Sequence, residues 1–214
     1  MTDVTTPRAV WDEMIEGNQR FVAGEPRHPR QDVDRRHELA TGQRPRAALF
    51  GCSDSRLAAE IIFDEGLGDL FVIRNAGQVV SDSVIGSLEY AVAVLEVPLI
   101  VVLAHDACGA VAAAIDSVGI DAPTLPPLIW RQISPIVPAV RRVIRATGAL
   151  PGGIDPEQVG REHLRDTVAQ LLHGSELISQ AVAEGRLAIV GANYRLEEGT
   201  ALPVVVVGDA GDND

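Results

Sequence analysis

The sequence has no lysine; all 18 of its basic residues are arginine. That excludes a phosphate-binding P-loop, whose lysine sits on the phosphates. It also excludes Schiff-base and lysine general-base chemistry. Arginine, which stays protonated and meets carboxylates through a planar fork, is left as the natural partner of any buried acid. Cysteine is scarce, with two in 214 residues. Long apolar runs are missing: even 98–104 is far too short to span a membrane. Met1-Thr2-Asp3-Val4 shows no basic region followed by an apolar one, so no secretory signal is expected and the chain reads as cytoplasmic. In that reducing compartment, two thiols favour a metal or catalytic role over a disulfide. Positive charge is also in deficit, with 30 acidic residues against 18 basic and a formal charge of −12. Nucleic acid and anionic membrane surfaces are therefore not expected partners. The one basic cluster, Arg27-His28-Pro29-Arg30 with Arg35-Arg36, reads as a solvated or subunit-binding segment.

What is present is an alternation of strand-like and helix-like segments. Thr6-Pro7 looks like an N-cap followed by proline at the first helical position. Val10, Trp11, Met14, Ile15, Phe21 and Val22 recur at helical spacing until Gly24 and Pro26 stop them. With a polar helix over 33–41, this gives an N-terminal helical arm over 1–45. Strands are expected at 46–51, 70–73 and 99–103, with helices at 58–63, 83–95 and 109–118 between and after them. The stretch 121–138, punctuated by five prolines, resists assignment. One long amphipathic helix is expected over 161–184, then a strand at 187–192, a turn at Glu198-Gly199 and an antiparallel edge strand at 202–207. Strands alternating with helices imply an α/β fold with a mostly parallel sheet. The core would run over 46–208 as a single domain, with an acidic tail at 209–214 expected to fray.

Both cysteines follow apolar runs. Cys52-Ser53-Asp54-Ser55-Arg56 comes directly after Ala47–Gly51, and His105-Asp106-Ala107-Cys108-Gly109 directly after Leu99–Ala104. In open parallel sheets, ligands bind beyond the carboxyl ends of the strands. If these two strands are neighbours, two thiols and an imidazole converge. Three such donors suit a catalytic zinc ion with one open position, and thiolates argue against magnesium or calcium. Asp54 and Arg56, two apart, share a side of an extended segment, so the carboxylate stays ionised and can accept a hydrogen bond near the metal or ligate it. The bland alternatives are cysteines as buried hydrophobes, a disulfide, a closed structural zinc site with Asp54 as fourth ligand, and a redox dithiol.

These motifs resemble those of the β-class carbonic anhydrases. The resemblance covers nearly the whole chain and rests on four blocks in the family's order: Gly51-Cys52-Ser53-Asp54-Ser55-Arg56, Phe71-Val72-Ile73-Arg74-Asn75-Ala76-Gly77, Ser87-Leu88-Glu89-Tyr90-Ala91-Val92 and His105-Asp106-Ala107-Cys108-Gly109. It implies a central sheet in strand order 2-1-3-4 with an antiparallel edge strand. It implies one Zn2+ per subunit on Cys52, His105 and Cys108, with Asp54 as a further ligand only in a closed state. Asp54 and Arg56 would form a gatekeeping dyad. Gln43 would contact the substrate, and Phe71, Ala76 and Tyr90, with Gly109, would line its pocket. The implied reaction is reversible hydration of carbon dioxide to bicarbonate and a proton by a zinc-bound hydroxide, in a homodimer or homotetramer whose N-terminal arms wrap a partner subunit. A hydrolase of carbonyl sulfide or carbon disulfide, and a non-enzymatic zinc-binding protein, are the competing functions. A related subgroup carries a tryptophan three residues before the first cysteine, at a non-catalytic bicarbonate site; here that position is Leu49.

Overall fold

The computed structural model describes residues 6–211. The Thr6 hydroxyl accepts from the Ala9 N–H at 3.2 Å and opens α1 (Pro7–Val22). This helix, expected as an arm of the same domain, packs into the core. Val10, Trp11 and Met14 are at most 6% exposed and belong to the same apolar cluster as the sheet. Gly17 permits the close approach, because a Cβ there would stand 1.9 Å from the Phe63 carbonyl oxygen. α2 (Val33–Glu38) follows and buries none of its residues. The basic cluster around it is engaged within the chain: the Arg27 and His28 N–H groups donate to Asp64, and the Arg30 guanidinium pairs with both Glu65 and Asp69.

The chain then alternates through β1 (Ala47–Cys52), α3 (Ala59–Ile62), β2 (Leu70–Asn75), α4 (Asp82–Ala93), β3 (Leu99–His105) and α5 (Gly109–Asp116). After α6 (Pro127–Ile133), α7 (Val137–Thr147), α8 (Pro156–Gly174) and α9 (Glu176–Ala183), it returns to the sheet as β4 (Ala188–Tyr194) and β5 (Ala201–Val207). The sheet order is β2-β1-β3-β4-β5, parallel except for the β4–β5 pair. In β3, Leu99, Val101 and Leu103 face one apolar layer and Ile100, Val102 and Ala104 the other. That two-residue alternation, buried on both faces, is why the strand reads as a continuous apolar run.

One unassigned segment proves regular, and two others depart from expectation. The proline-rich stretch is helical: Pro127 is the first residue of α6 and Pro138 lies in the first turn of α7. The helix expected over 161–184 is two helices. Ser175 is extended (φ −136°, ψ 111°), and its hydroxyl accepts from the Ile178 N–H while donating to Glu89 at 2.6 Å. The apolar stripe keeps its phase across the break, so periodicity alone does not show it. The chain end does not fray from Asp209, since Ala210 is fully buried in the core. Residues 212–214 of the acidic tail lie outside the described residues.

Asn18 fastens α1 to both α3 and the β4–β5 turn. Its amide donates to the Ile62 and Gly199 carbonyls at 3.0 and 2.8 Å and accepts from the Ala201 N–H at 3.0 Å. Asn18→Ala strands these backbone groups in the interior, at about 1–3 kcal/mol for a buried orphan. The expected loss is about 3 kcal/mol, or roughly 6–12 °C in melting temperature for a chain of this size. A melting temperature within about 2 °C of the parent in a thermal scan would contradict this role for the amide.

Candidate metal centre

β1 and β3 are adjacent and parallel, so Cys52 at the end of one and His105 at the end of the other emerge on the same edge of the sheet. The chain turns sharply after β3, with Ala107 in the left-handed region (φ 48°), and Cys108 then caps α5. This turn brings the residue three beyond His105 back to face it. The ligating atoms of Cys52, His105 and Cys108 lie within 4.8 Å of one another, and all three residues are buried. Donors about 2.3 Å (sulfur) and about 2.0–2.1 Å (nitrogen) from one shared ion have separations on this scale.

The protonation chemistry suits a soft divalent ion. His105 Nδ1 lies 2.7 Å from the Asp106 carbonyl, an acceptor, so Nδ1 carries the hydrogen. That leaves the lone pair on Nε2, which is buried and meets no hydrogen-bond partner among the described residues. A lone pair with no donor to satisfy it is what a metal ligand presents. The Cys52 thiol is drawn below its ordinary range, first by a hydrogen bond from Cys108 and, against the opposing effect of burial, also by the Gly77 N–H. Cys108 is pushed upward by the same pairing and by burial, while the N–H groups of Val111 and Ala110 at the start of α5 favour its thiolate. The two sulfurs thus share one proton, and a divalent cation bound there replaces it. No disulfide joins them.

Asp54 stands beside this cluster. One of its oxygens is 3.9 Å from His105 Nε2. Both oxygens are taken by Arg56, with Nε at 2.8 Å and Nη2 at 2.7 Å, and the Arg56 backbone N–H adds a third bond at 3.0 Å. Arg56 also reaches the Ala107 carbonyl at 3.3 Å, tying the β1 and β3 loops together. The bidentate contact holds the Asp54 carboxyl well below the usual carboxylate range. Gly109, next to Cys108, is exposed, with open space where a side chain would be.

A family model described as carbonic anhydrase matches residues 47–201, which include every residue of this cluster. Carbonic anhydrase 2 of Mycobacterium tuberculosis is 49% identical over 210 residues, covering 97% of this chain and 98% of the relative. The carbonic anhydrase of Mycolicibacterium smegmatis is 46% identical over the same coverage. Among solved structures, a tetrameric β-carbonic anhydrase from Sordaria macrospora superposes with a TM-score of 0.70 at 26% identity, covering 80% of this chain and 87% of that one.

The chain belongs to the β-carbonic anhydrase family.

Within one chain, the residues that this family resemblance suggested do not all meet. Cys52, Asp54, Arg56, His105, Cys108 and Gly109 gather at the carboxyl edge of the sheet. Ala76, exposed at the end of β2, is next to Gly77, whose N–H donates to Cys52 Sγ at 3.3 Å. Phe71 and Tyr90 are elsewhere. Their rings touch, with centroids 6.1 Å apart, but Phe71 is in register with Ala48 whereas Asn75 is in register with Cys52. Four residues of strand, about 13 Å, separate Phe71 from the end of β2. Gln43 is exposed and precedes β1, roughly 17 Å of strand from Cys52. These three therefore do not line the cluster of their own chain. Sequence reasoning gave no role to Arg74, whose guanidinium holds the β1 loop in place through the Cys52 carbonyl at 2.9 Å and the Asp54 carbonyl at 2.6 Å. Its signal was only its place inside the second motif block.

Proposed function

We propose that this chain catalyses the reversible hydration of carbon dioxide to bicarbonate and a proton, with one Zn2+ per subunit held by Cys52, His105 and Cys108. The observation that carries the reading is the buried donor triad, with its unpartnered imidazole nitrogen, beside a carboxylate clamped by arginine. Two thiolates and an imidazole favour zinc over the oxygen-seeking cations. When bound, zinc with three protein ligands supplies an acidified water as the nucleophile. Asp54, ionised at every working pH, accepts a hydrogen bond from the reacting oxygen and orients it. Arg56 keeps that carboxylate from taking the fourth position itself. The Gly109 edge leaves room for a substrate as small as carbon dioxide.

The substrate pocket is completed by a second copy of the chain, which brings Gln43, Phe71 and Tyr90 to its partner's metal. β2 is an edge strand, and an uncovered edge is a pairing site that proteins normally protect. Tyr90 and Val94, 45% and 61% exposed, extend an apolar surface beside it. A homo-oligomer, dimer or tetramer, is the expected state, and no helix among the described residues is long and apolar enough to cross a membrane. The cytoplasm, where both thiols stay reduced, suits this site. A monomer by light scattering that kept the full hydration rate would remove the partner's contribution.

Stopped-flow hydration of carbon dioxide, on protein of known metal content and across pH, tests the reading. Cys52 and Cys108 as thiolates cancel the formal charge of a divalent ion, so the site withdraws less electron density than three neutral imidazoles would. Hydration should therefore rise toward alkaline pH. A profile flat from about pH 6 to about pH 9 would count against the thiolate pair. No hydration at alkaline pH with stoichiometric zinc, or turnover of carbonyl sulfide or carbon disulfide alone, would replace the proposed substrate.

A further inference from the structure

A buried histidine touches the loop whose N–H reaches the Cys52 sulfur. After β2, Asn75 closes a tight loop by donating to the Val79 carbonyl at 2.7 Å and accepting the Val79 N–H at 2.8 Å. Inside it, Gly77 (φ 79°) and Gln78 (φ 41°) are both left-handed. Gly77 has no room for a side chain, since a Cβ would stand 2.8 Å from that of Ala110. Its N–H points to Cys52 Sγ at 3.3 Å, and its carbonyl points away, to His163 Nε2 on α8 at 2.8 Å. One turn further along α8, the Thr167 hydroxyl bonds the His163 carbonyl at 2.9 Å and lies 3.5 Å from the Gln78 carbonyl.

A carbonyl only accepts, so the ring nitrogen facing it carries the hydrogen. The other nitrogen, Nδ1, is buried and has no partner among the described residues. Burial also drives His163 below the usual imidazole range, which keeps it neutral. His163 is 1% exposed and sits in an otherwise apolar stripe with Val159, Leu164 and Val168. A leucine there would avoid the cost of the unpartnered nitrogen. What the histidine adds is the single donated hydrogen bond.

We propose that His163 is a positioning residue for the metal-binding thiolate: by holding the Gly77 carbonyl, it keeps the Gly77 N–H on Cys52 Sγ. The two bonds belong to successive peptide units that share the Gly77 Cα, so fixing one limits rotation of the other. Donors to a ligating sulfur orient it and tune how strongly it gives electron density to the metal. The inference rests on Cys52, His105 and Cys108 being the ligands.

The test loads the full chain with Co2+ and reads the sulfur-to-metal charge-transfer band, with affinity measured by chelator competition. His163→Phe keeps a ring and removes the donor; His163→Gln places an amide N–H at the reach of Nε2. His163→Phe should bind Co2+ about tenfold more weakly, the low end for a residue supporting a ligand. Its band should move to lower energy, and His163→Gln should return both values toward the parent's. Parental band and affinity in His163→Phe would overturn the proposal, as would a His163→Gln protein no better than His163→Phe. Should the phenylalanine variant fail to fold, nitrogen-15 NMR of the parent's histidines decides. A slowly exchanging Nε2–H on His163 supports the proposal, and an Nδ1–H tautomer overturns it. None of these readouts needs turnover, so a parent protein with the expected band but no hydration of carbon dioxide would refute the function and leave the role of His163 intact.

Discussion

Replacing Cys108 with alanine should take carbon dioxide hydration to the uncatalysed rate and release the metal. Zinc held by four ligands in a folded site is worth about 10–16 kcal/mol, so one ligand's share is near 3 kcal/mol. At 1.4 kcal/mol per factor of ten, affinity falls by about two orders of magnitude. The fold should survive, because the lost side chain is small and α5 keeps its other anchors, Val111, Ala114 and Ile115, in the core. The variant should therefore give a native circular dichroism spectrum, sub-stoichiometric zinc after dialysis and no burst of proton release in stopped flow. Stoichiometric zinc with parental activity would take Cys108 out of the ligand set.

Arg56→Ala is expected to keep zinc and lose activity, by one to two orders of magnitude, the range for residues that support a metal ligand. Arginine grips both Asp54 oxygens, at 2.8 and 2.7 Å. Without it, the carboxyl rises from well below the usual range toward an ordinary value near 3.9. It is still ionised at neutral pH, so the loss would not come from protonation. It would come from a freed carboxylate, already 3.9 Å from His105 Nε2, competing for the fourth coordination position. Because that competition weakens as hydroxide becomes more abundant, residual activity should climb more steeply with pH than in the parent. Arg56→Lys should recover only part of the rate, since an ammonium cannot make the two-pronged contact. Metal analysis beside the rate measurement separates this from ligand loss. Full activity in Arg56→Ala would end the gatekeeping role.

The Cys52, His105 and Cys108 cluster was legible from local patterns, whereas the strand order that joins its halves came from the family resemblance. Apolar runs ending in Cys52 and His105 mark strand ends, and parallel strands present their ends on one edge. The helices in the proline-rich stretch were not legible, because Pro127 and Pro138 read as breakers although proline fits a first turn. His163 was hidden for a different reason: its partner, Gly77, lies 86 residues away, and nothing in its own helix announces the contact. Gln43, Phe71 and Tyr90 show a third limit. Spacing along a chain tells that residues belong to one kind of site, but not whose metal they serve. Register adds that Phe71 lies beside Ala48 rather than Cys52, away from the cluster of its own chain.

The neighbouring positions of β1 and β3 also bear on how the protein assembles. His105 and Cys108 lie within one turn of chain and meet as soon as that turn forms, whereas Cys52 is 53 residues away from His105 and joins only when the central pair of strands has docked across the β2–α4 crossover. Two local donors hold a metal weakly, and the third arrives with the sheet. Thiolate absorption from a cobalt ion present during refolding would then grow in two phases, the slower one timing the closure of the molecule's centre.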